Sequence, residues 1–227
     1  MSQRSWRTEV NLRAMRLALA KEPGELTAED HQTLAQYSGW GGLSIKRAAS
    51  ALPVGWVPEK KALIHEYYTP ELVANAIAQT LLPYQPELTN AEGNIRVLEP
   101  SAGIGRFVNA LDPILWPQLK WTAIELSKVS ASLLSALRPD ITLVHAPFEQ
   151  WVQDNKHLFG VFDLVVCNPP WLPARPTSVL EQAVYDEDSR MLRGFLAGLA
   201  QHLEEGGEAG SSCPISPNTW VCARPGC

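Results

Sequence analysis

The stretch Ile95-Arg-Val-Leu-Glu-Pro-Ser-Ala-Gly-Ile-Gly-Arg-Phe107 decides the fold. Ile95 to Leu98 reads as a short buried strand, and the chain then turns through an acid, a proline and two glycines before a helix starts over Gly105 to Leu111. Gly103 and Gly105 let the backbone approach a ligand without a Cβ, and the helix presents its first amides to the ligand's polar end. A dinucleotide loop would read Gly-x-Gly-x-x-Gly directly after the strand. Here Glu99 comes first, and Pro100 bars the close approach of a pyrophosphate. An acid at the strand tip suits an ammonium group better than a phosphate.

Working outward, Trp121 to Ile124 makes a second strand, Leu126 to Leu137 a helix, Ile141 to His145 a third strand and Phe162 to Cys167 a fourth. Alternating βα units with continuous apolar strands predict a parallel sheet with helices on both faces, a Rossmann-like α/β fold. Met191 to Leu203 predicts a further helix that ends at Gly206-Gly207. No fifth strand is read after it, so the sheet is expected to be incomplete at the C-terminus. From Gly210 the prolines and cysteines fit neither strand nor helix. One choice of codons for Ser212 to Ala223, read one frame over, gives a strand-to-helix sequence, and the tail 210–227 is therefore expected to be a frameshift product.

Upstream, Arg4 to Lys21 places Trp6, Val10, Ala14, Leu17 and Leu19 near helical spacing, and a second helix starts after a Thr27 cap with Glu29 and Asp30 in its first turn. Ser38-Gly-Trp-Gly-Gly-Leu43 is a loop, and Leu52 to Pro58 a connection. Thr69-Pro70-Glu71 opens a helix with a hydroxyl cap and Pro at the first position, ending in a linker from Pro83 to Pro86. The expected organisation is a helical N-terminal extension over 1–60, a catalytic domain over 61–209 and an irregular tail over 210–227.

The 227 residues are 45% hydrophobic, enough for one substantial α/β core. No run approaches the ~18 apolar residues of a membrane span, and the N-terminus lacks an apolar signal core, so a cytoplasmic protein is expected. A net charge of -5 is unlike the basic footprint of a protein that grips nucleic acid by its phosphates alone. Cys167, Cys213, Cys222 and Cys227 show no paired metal-ligand spacing, and neither a disulfide nor a metal site is read.

Chemistry concentrates at strand ends. The Glu99 acid and the loop after it point to the methionine amine of S-adenosylmethionine. Glu125 closes the second strand, where it can accept from both ribose hydroxyls of such a cofactor or be a plain surface glutamate. Phe148, after the third strand, either flanks the adenine or belongs to the core. Asn168-Pro169-Pro170-Trp171 ends the fourth strand. Two prolines fix a rigid turn, so that the Asn168 amide oxygen and the Pro169 carbonyl both point at one amino group, while Trp171 offers a stacking face. Asp163 is either a brace or a cap.

Leu98-Glu-Pro-Ser-Ala-Gly-Ile-Gly-Arg-Phe107 resembles the cofactor loop of N6-adenine DNA methyltransferases, class I enzymes that use S-adenosylmethionine, and Asn168-Pro-Pro-Trp171 resembles their target-amine motif. Tyr67-Tyr-Thr-Pro70 is similar to their segment over the methionine end of the cofactor. The Ser38 to Leu43 block resembles one ahead of methylase domains in large methylase-helicase proteins of mobile elements and phages, which implies a recognition or helicase partner domain. Residues 164–209 resemble small-domain methyltransferases of ribosomal RNA or release-factor glutamine. The resemblance implies cofactor contacts from Tyr68, Thr69, Pro70, Glu99, Pro100, Ser101, Ala102, Gly103, Gly105, Glu125 and Phe148, and catalytic roles for Asn168, Pro169, Pro170 and Trp171, with no metal. DNA is the implied substrate, with ribosomal RNA guanine or protein glutamine as alternatives. A truncated, inactive module is a further one. Two departures stand out: Ala146 and Pro147 occupy the place of an acid that binds the adenine amine, and no target-recognition region follows the catalytic motif.

Overall fold

In the computed structural model, which describes residues 2–40, 43, 46, 50–53, 56, 68–111, 118–158, 160–168 and 193 and the backbone of 203–211, five parallel strands form one sheet. They are β1 (Ile95–Glu99), β2 (Leu119–Glu125), β3 (Thr142–His145), β4 (Phe162–Cys167) and β5 (Leu203–Ser211), in the order β3-β2-β1-β4-β5. The described helices are α1 (Gln3–Ala20), α2 (Ala28–Ala35), α3 (Glu71–Leu81), α4 (Gln85–Leu88), α5 (Arg106–Ala110), α6 (Lys128–Leu137) and α7 (Phe148–Asp154). Every residue of β4 is buried, as a strand covered on both faces requires. On one face Ile95, Val97, Leu164 and Val166 pack with Ile77 of α3 and with Phe107 and Val108 of α5. On the other, Leu98, Ile124 and Val165 pack with Trp151 of α7. The Rossmann-like α/β architecture expected from the sequence is the one observed.

A fifth strand does follow Gly206-Gly207, which corrects the reading of that segment. Glu208, Ala209, Gly210 and Ser211 pair with Leu164 to Cys167, after an irregularity in which β5 advances from Leu203 to Glu208 while β4 advances from Phe162 to Leu164. The ladder is made by backbone groups, so a run of glycine, glutamate and alanine can pair although it carries no β-branched signature. Leu203, expected to close a helix, belongs to this strand, and β5 crosses the boundary drawn at 209/210. The remainder of the tail, 212–227, lies outside the described residues.

Three helix expectations also change. The buried side of α1 is Thr8, Asn11, Leu12, Ala14 and Met15, whereas Trp6 and Leu19 are exposed. Asn11 moves the buried stripe, because its amide donates to the Gly39 carbonyl at 2.7 Å and accepts from the Ser38 amide at 3.0 Å. Thr69 does not cap α3; Pro70 is the cap residue and makes no side-chain bond. The linker from Pro83 to Pro86 is helical, a 3-10 turn followed by α4, with each proline at the start of its element, where it costs no hydrogen bond. The Thr27 cap holds as expected: its hydroxyl accepts from the Asp30 amide, and the Asp30 carboxylate accepts from the Thr27 amide.

Asp163 ties the sheet together at the end away from the strand tips. Its carboxylate accepts from the Arg96 amide at 2.7 Å and from the Arg96 guanidinium at 3.0 and 2.8 Å, and also from the Asn90 side chain. This settles its role as a brace between β1, β4 and the Asn90 turn. Removing one partner of such a nearly buried pair strands the other, a loss in the range of 3 to 5 kcal/mol when both are fully buried. Because the Arg96 side chain is 30% exposed, Asp163→Ala is expected to cost about 3 kcal/mol, the low end of that range. Urea denaturation checks it: the midpoint should fall with the slope unchanged, and Asp163→Asn should lose less, since it keeps an acceptor for the Arg96 amide.

Candidate functional site

In a parallel sheet of this order the connections reverse direction between β1 and β4, which opens a crevice beyond their C-terminal ends. Glu99 and Asn168 stand at those two ends. Beneath them the Ser101 hydroxyl and the Cys167 thiol lie 3.7 Å apart, joining the loop after β1 to β4. Glu99 is 2% exposed, and its Oε2 has no hydrogen-bond partner among the described residues. Burial, and then the neighbouring Glu125, hold its carboxyl well above the usual carboxylate range. Burial likewise pushes the Cys167 thiol up to about 12, so it is a neutral thiol at physiological pH and not a nucleophile.

The loop between β1 and α5 is built from β2. The Gly103 amide donates to one oxygen of Glu125 at 2.6 Å, and the Ser127 amide donates to the other at 2.6 Å. The Ala102 amide donates to the Ile124 carbonyl at 2.9 Å. Burial raises the Glu125 carboxyl in spite of these donors and of nearby His145, whose ring lies 3.1 Å from the Leu126 carbonyl. Gly103 and Gly105 have φ of 57° and 73°, left-handed conformations that favour glycine. The room left by their missing side chains is taken by the protein. A Cβ at Gly103 would lie 2.7 Å from the Tyr68 ring, and one at Gly105 2.5 Å from Leu134. The glycines therefore admit an aromatic lid and a helix, a use that the spacing did not reveal.

Tyr68 is the centre of a second contact chain. Its hydroxyl lies 2.7 Å from that of Ser130, a fully buried residue of α6. Its ring meets Tyr37 at a centroid distance of 6.4 Å. Tyr37 and Trp40, both almost fully buried, pack with Leu12 and Met15 of α1, Leu34 of α2 and Val129 and Leu133 of α6. The N-terminal helices thus sit on the same face as the loop. Asn11, Ser127 and Ser130 were not singled out in the sequence. Ser127 carried a signal, a serine one residue before a helix, and its side chain does cap α6.

Thr69, buried, and Asn168, exposed, meet although 99 residues separate them: the Asn168 amide nitrogen donates to the Thr69 hydroxyl at 3.0 Å. Pro100 and Ala102 are buried, and Pro70 and Ser101 are exposed. Phe148 is half-buried and stacks on Trp151 with 6.1 Å between centroids and 20° between planes. Pro169, Pro170 and Trp171 lie outside the described residues. Among the described residues no group of acids, histidines and cysteines could hold a metal ion, and no helix is long and apolar enough to cross a membrane.

An S-adenosylmethionine molecule needs an anion for its ammonium group and acceptors for its ribose. Glu99 supplies a buried carboxylate oxygen with its hydrogen-bonding capacity unspent, and Glu125 sits at the tip of the next strand. Each carboxylate oxygen of Glu125 has a second lone pair beyond the one given to a backbone amide. The residues present fit the cofactor.

No protein-family model matches the chain. Over 216 residues, 95% of its length, the chain is 29% identical to Defense against restriction protein B of Escherichia phage P1, and it spans 8% of that protein. Among solved structures it is similar to a candidate class I S-adenosylmethionine-dependent methyltransferase from Listeria monocytogenes, with 14% identity, 85% of this chain and 56% of that one covered, and a TM-score of 0.47. It is also similar to the methyltransferase subunit of a type I restriction-modification system from Streptococcus thermophilus, with 15% identity, 88% and 55% covered, and a TM-score of 0.46.

Proposed function

We propose that the chain is an S-adenosylmethionine-dependent N-methyltransferase acting on N6 of adenine in DNA. The observation that carries the reading is the buried, unsatisfied oxygen of Glu99 beside the Asn168 tip, at the reversal point of the sheet. Glu99 would hold the cofactor's ammonium group and Glu125 its ribose, with Tyr68 and Pro70 at the methionine end and Phe148 flanking the adenine. When bound, the cofactor supplies an electrophilic methyl group. The protein's part is orientation. An amino nitrogen conjugated to a ring is a poor nucleophile, and Asn168, with the Pro169 carbonyl in the sequence reading, accepts its hydrogens and turns its lone pair toward the methyl. Adenine within a duplex would have to leave the stack to reach this point, where Trp171 would receive it.

The phage relative supports a nucleic-acid substrate. The matched 216 residues necessarily include both strand tips, and that protein is named for defence against restriction. Tritiated S-adenosylmethionine offered with DNA, ribosomal RNA and release factor tests the substrate: transfer to adenine in DNA is expected, and label in guanine or glutamine instead would assign the alternative. Asn168→Ala should abolish transfer and leave S-adenosylhomocysteine affinity within about twofold, because Asn168 touches the target and not the cofactor.

A pH dependence follows from Glu99. Its carboxyl is raised by burial and by Glu125, with the neutral Cys167 thiol as its other titratable neighbour. The folded chain therefore keeps a proton that the unfolded chain loses, and stability without cofactor should fall as pH rises from the ordinary carboxylate range to the raised value of Glu99. Cofactor affinity should rise over the same window, since the ammonium group needs the ionised form. Calorimetric titration with S-adenosylhomocysteine from pH 5 upward checks both signs. Glu99→Gln should weaken binding at neutral pH, flatten its pH dependence and raise the unfolding temperature of the free chain.

A further inference from the structure

We infer that Thr69 is a positioning residue for Asn168: its hydroxyl fixes which end of the amide faces the target amine. The inference rests on the proposed transferase reaction. An asparagine side chain has a donor end and an acceptor end of nearly the same shape, and only the acceptor end can take a hydrogen from an amino group. With the nitrogen presented instead, two donors would face each other and the target would be turned away. The Asn168 nitrogen is committed to the Thr69 oxygen at 3.0 Å, which directs the amide oxygen the other way.

Two features make Thr69 suited to this. It is 8% exposed, so water does not readily replace it as a partner. Its hydroxyl is also not used at the start of α3, where Pro70 is the cap residue and no side chain caps the helix. Pro70 itself accepts from the amides of Val73 and Ala74, which anchors the residue beside Thr69 to the first turn of α3. The threonine thus carries a fixed point on α3 across to the tip of β4. Sequence alone assigned it to the cofactor.

The test is a double-mutant cycle in the full chain, with tritiated S-adenosylmethionine and an adenine-containing oligonucleotide. Thr69→Val keeps the shape and removes the hydroxyl, and kcat should fall about tenfold, the effect of one hydrogen bond of ordinary strength. The dissociation constant of S-adenosylhomocysteine should stay within about twofold, and Thr69→Ser should recover most of the lost rate. In an Asn168→Asp background, where both oxygens are acceptors and no end is wrong, Thr69→Val should cost about twofold or less. An equal loss in both backgrounds would make Thr69 merely structural. A raised dissociation constant with kcat unchanged would return it to the cofactor. If Thr69→Val turns over at the wild-type rate, the inference fails while the methyltransferase reading stands; if wild-type protein transfers no methyl to adenine, the reading itself fails.

Discussion

The site depends on two backbone hydrogen bonds to one carboxylate. Gly103 and Ser127 lie on different βα connections, and both donate to Glu125 at 2.6 Å. Charge-assisted bonds of this kind are about twice as strong as neutral ones. They fix the loop after β1 against the loop after β2, and with it the left-handed turn at Gly103 that leaves room for the Tyr68 ring. The same carboxylate raises the proton affinity of Glu99 by its charge, so the acid that secures the loop also loads the acid that faces the crevice. An unpaired carboxyl buried beside another acid is a poor way to stabilise a fold. It is a reasonable way to keep a place for a cation.

The strand tips were legible in the sequence because parallel strands buried on both faces read as unbroken apolar runs, and the residues that end them stand out. Ile95 to Leu98, Trp121 to Ile124 and Phe162 to Cys167 fall within observed strands, and Glu99, Glu125 and Asn168 fall at their ends. What periodicity could not supply was pairing between distant backbones. β5 is held by its ladder with β4 and not by side-chain preference, so a glycine-rich segment hid it. Thr69 looked like a cap because its local sequence is that of a cap, while its partner is 99 residues away. Gly103 and Gly105 revealed their conformation but not who uses the space, since Tyr68 and Leu134 belong to other elements.

The N-terminal helices gain meaning from the same contacts. An extension read as an appendage would be expected to pack loosely at an edge. Here Tyr37 and Trp40 are almost fully buried, and Asn11, fully buried, satisfies the Ser38 amide and the Gly39 carbonyl at the start of the loop that holds them. Buried polar groups must find partners, so this loop conformation requires Asn11. Tyr37 in turn backs the Tyr68 ring, and Tyr68 closes on Gly103 and bonds to Ser130 of the helix that follows β2. The extension therefore reaches the cofactor loop through two aromatic rings. Its packing contributes to where Tyr68 and the neighbouring Thr69 stand, and hence to the two tips of the crevice between β1 and β4. A separate covering element would leave those tips to the sheet alone; a continuous chain of contacts makes the geometry of the candidate site a property of the extension and the sheet together.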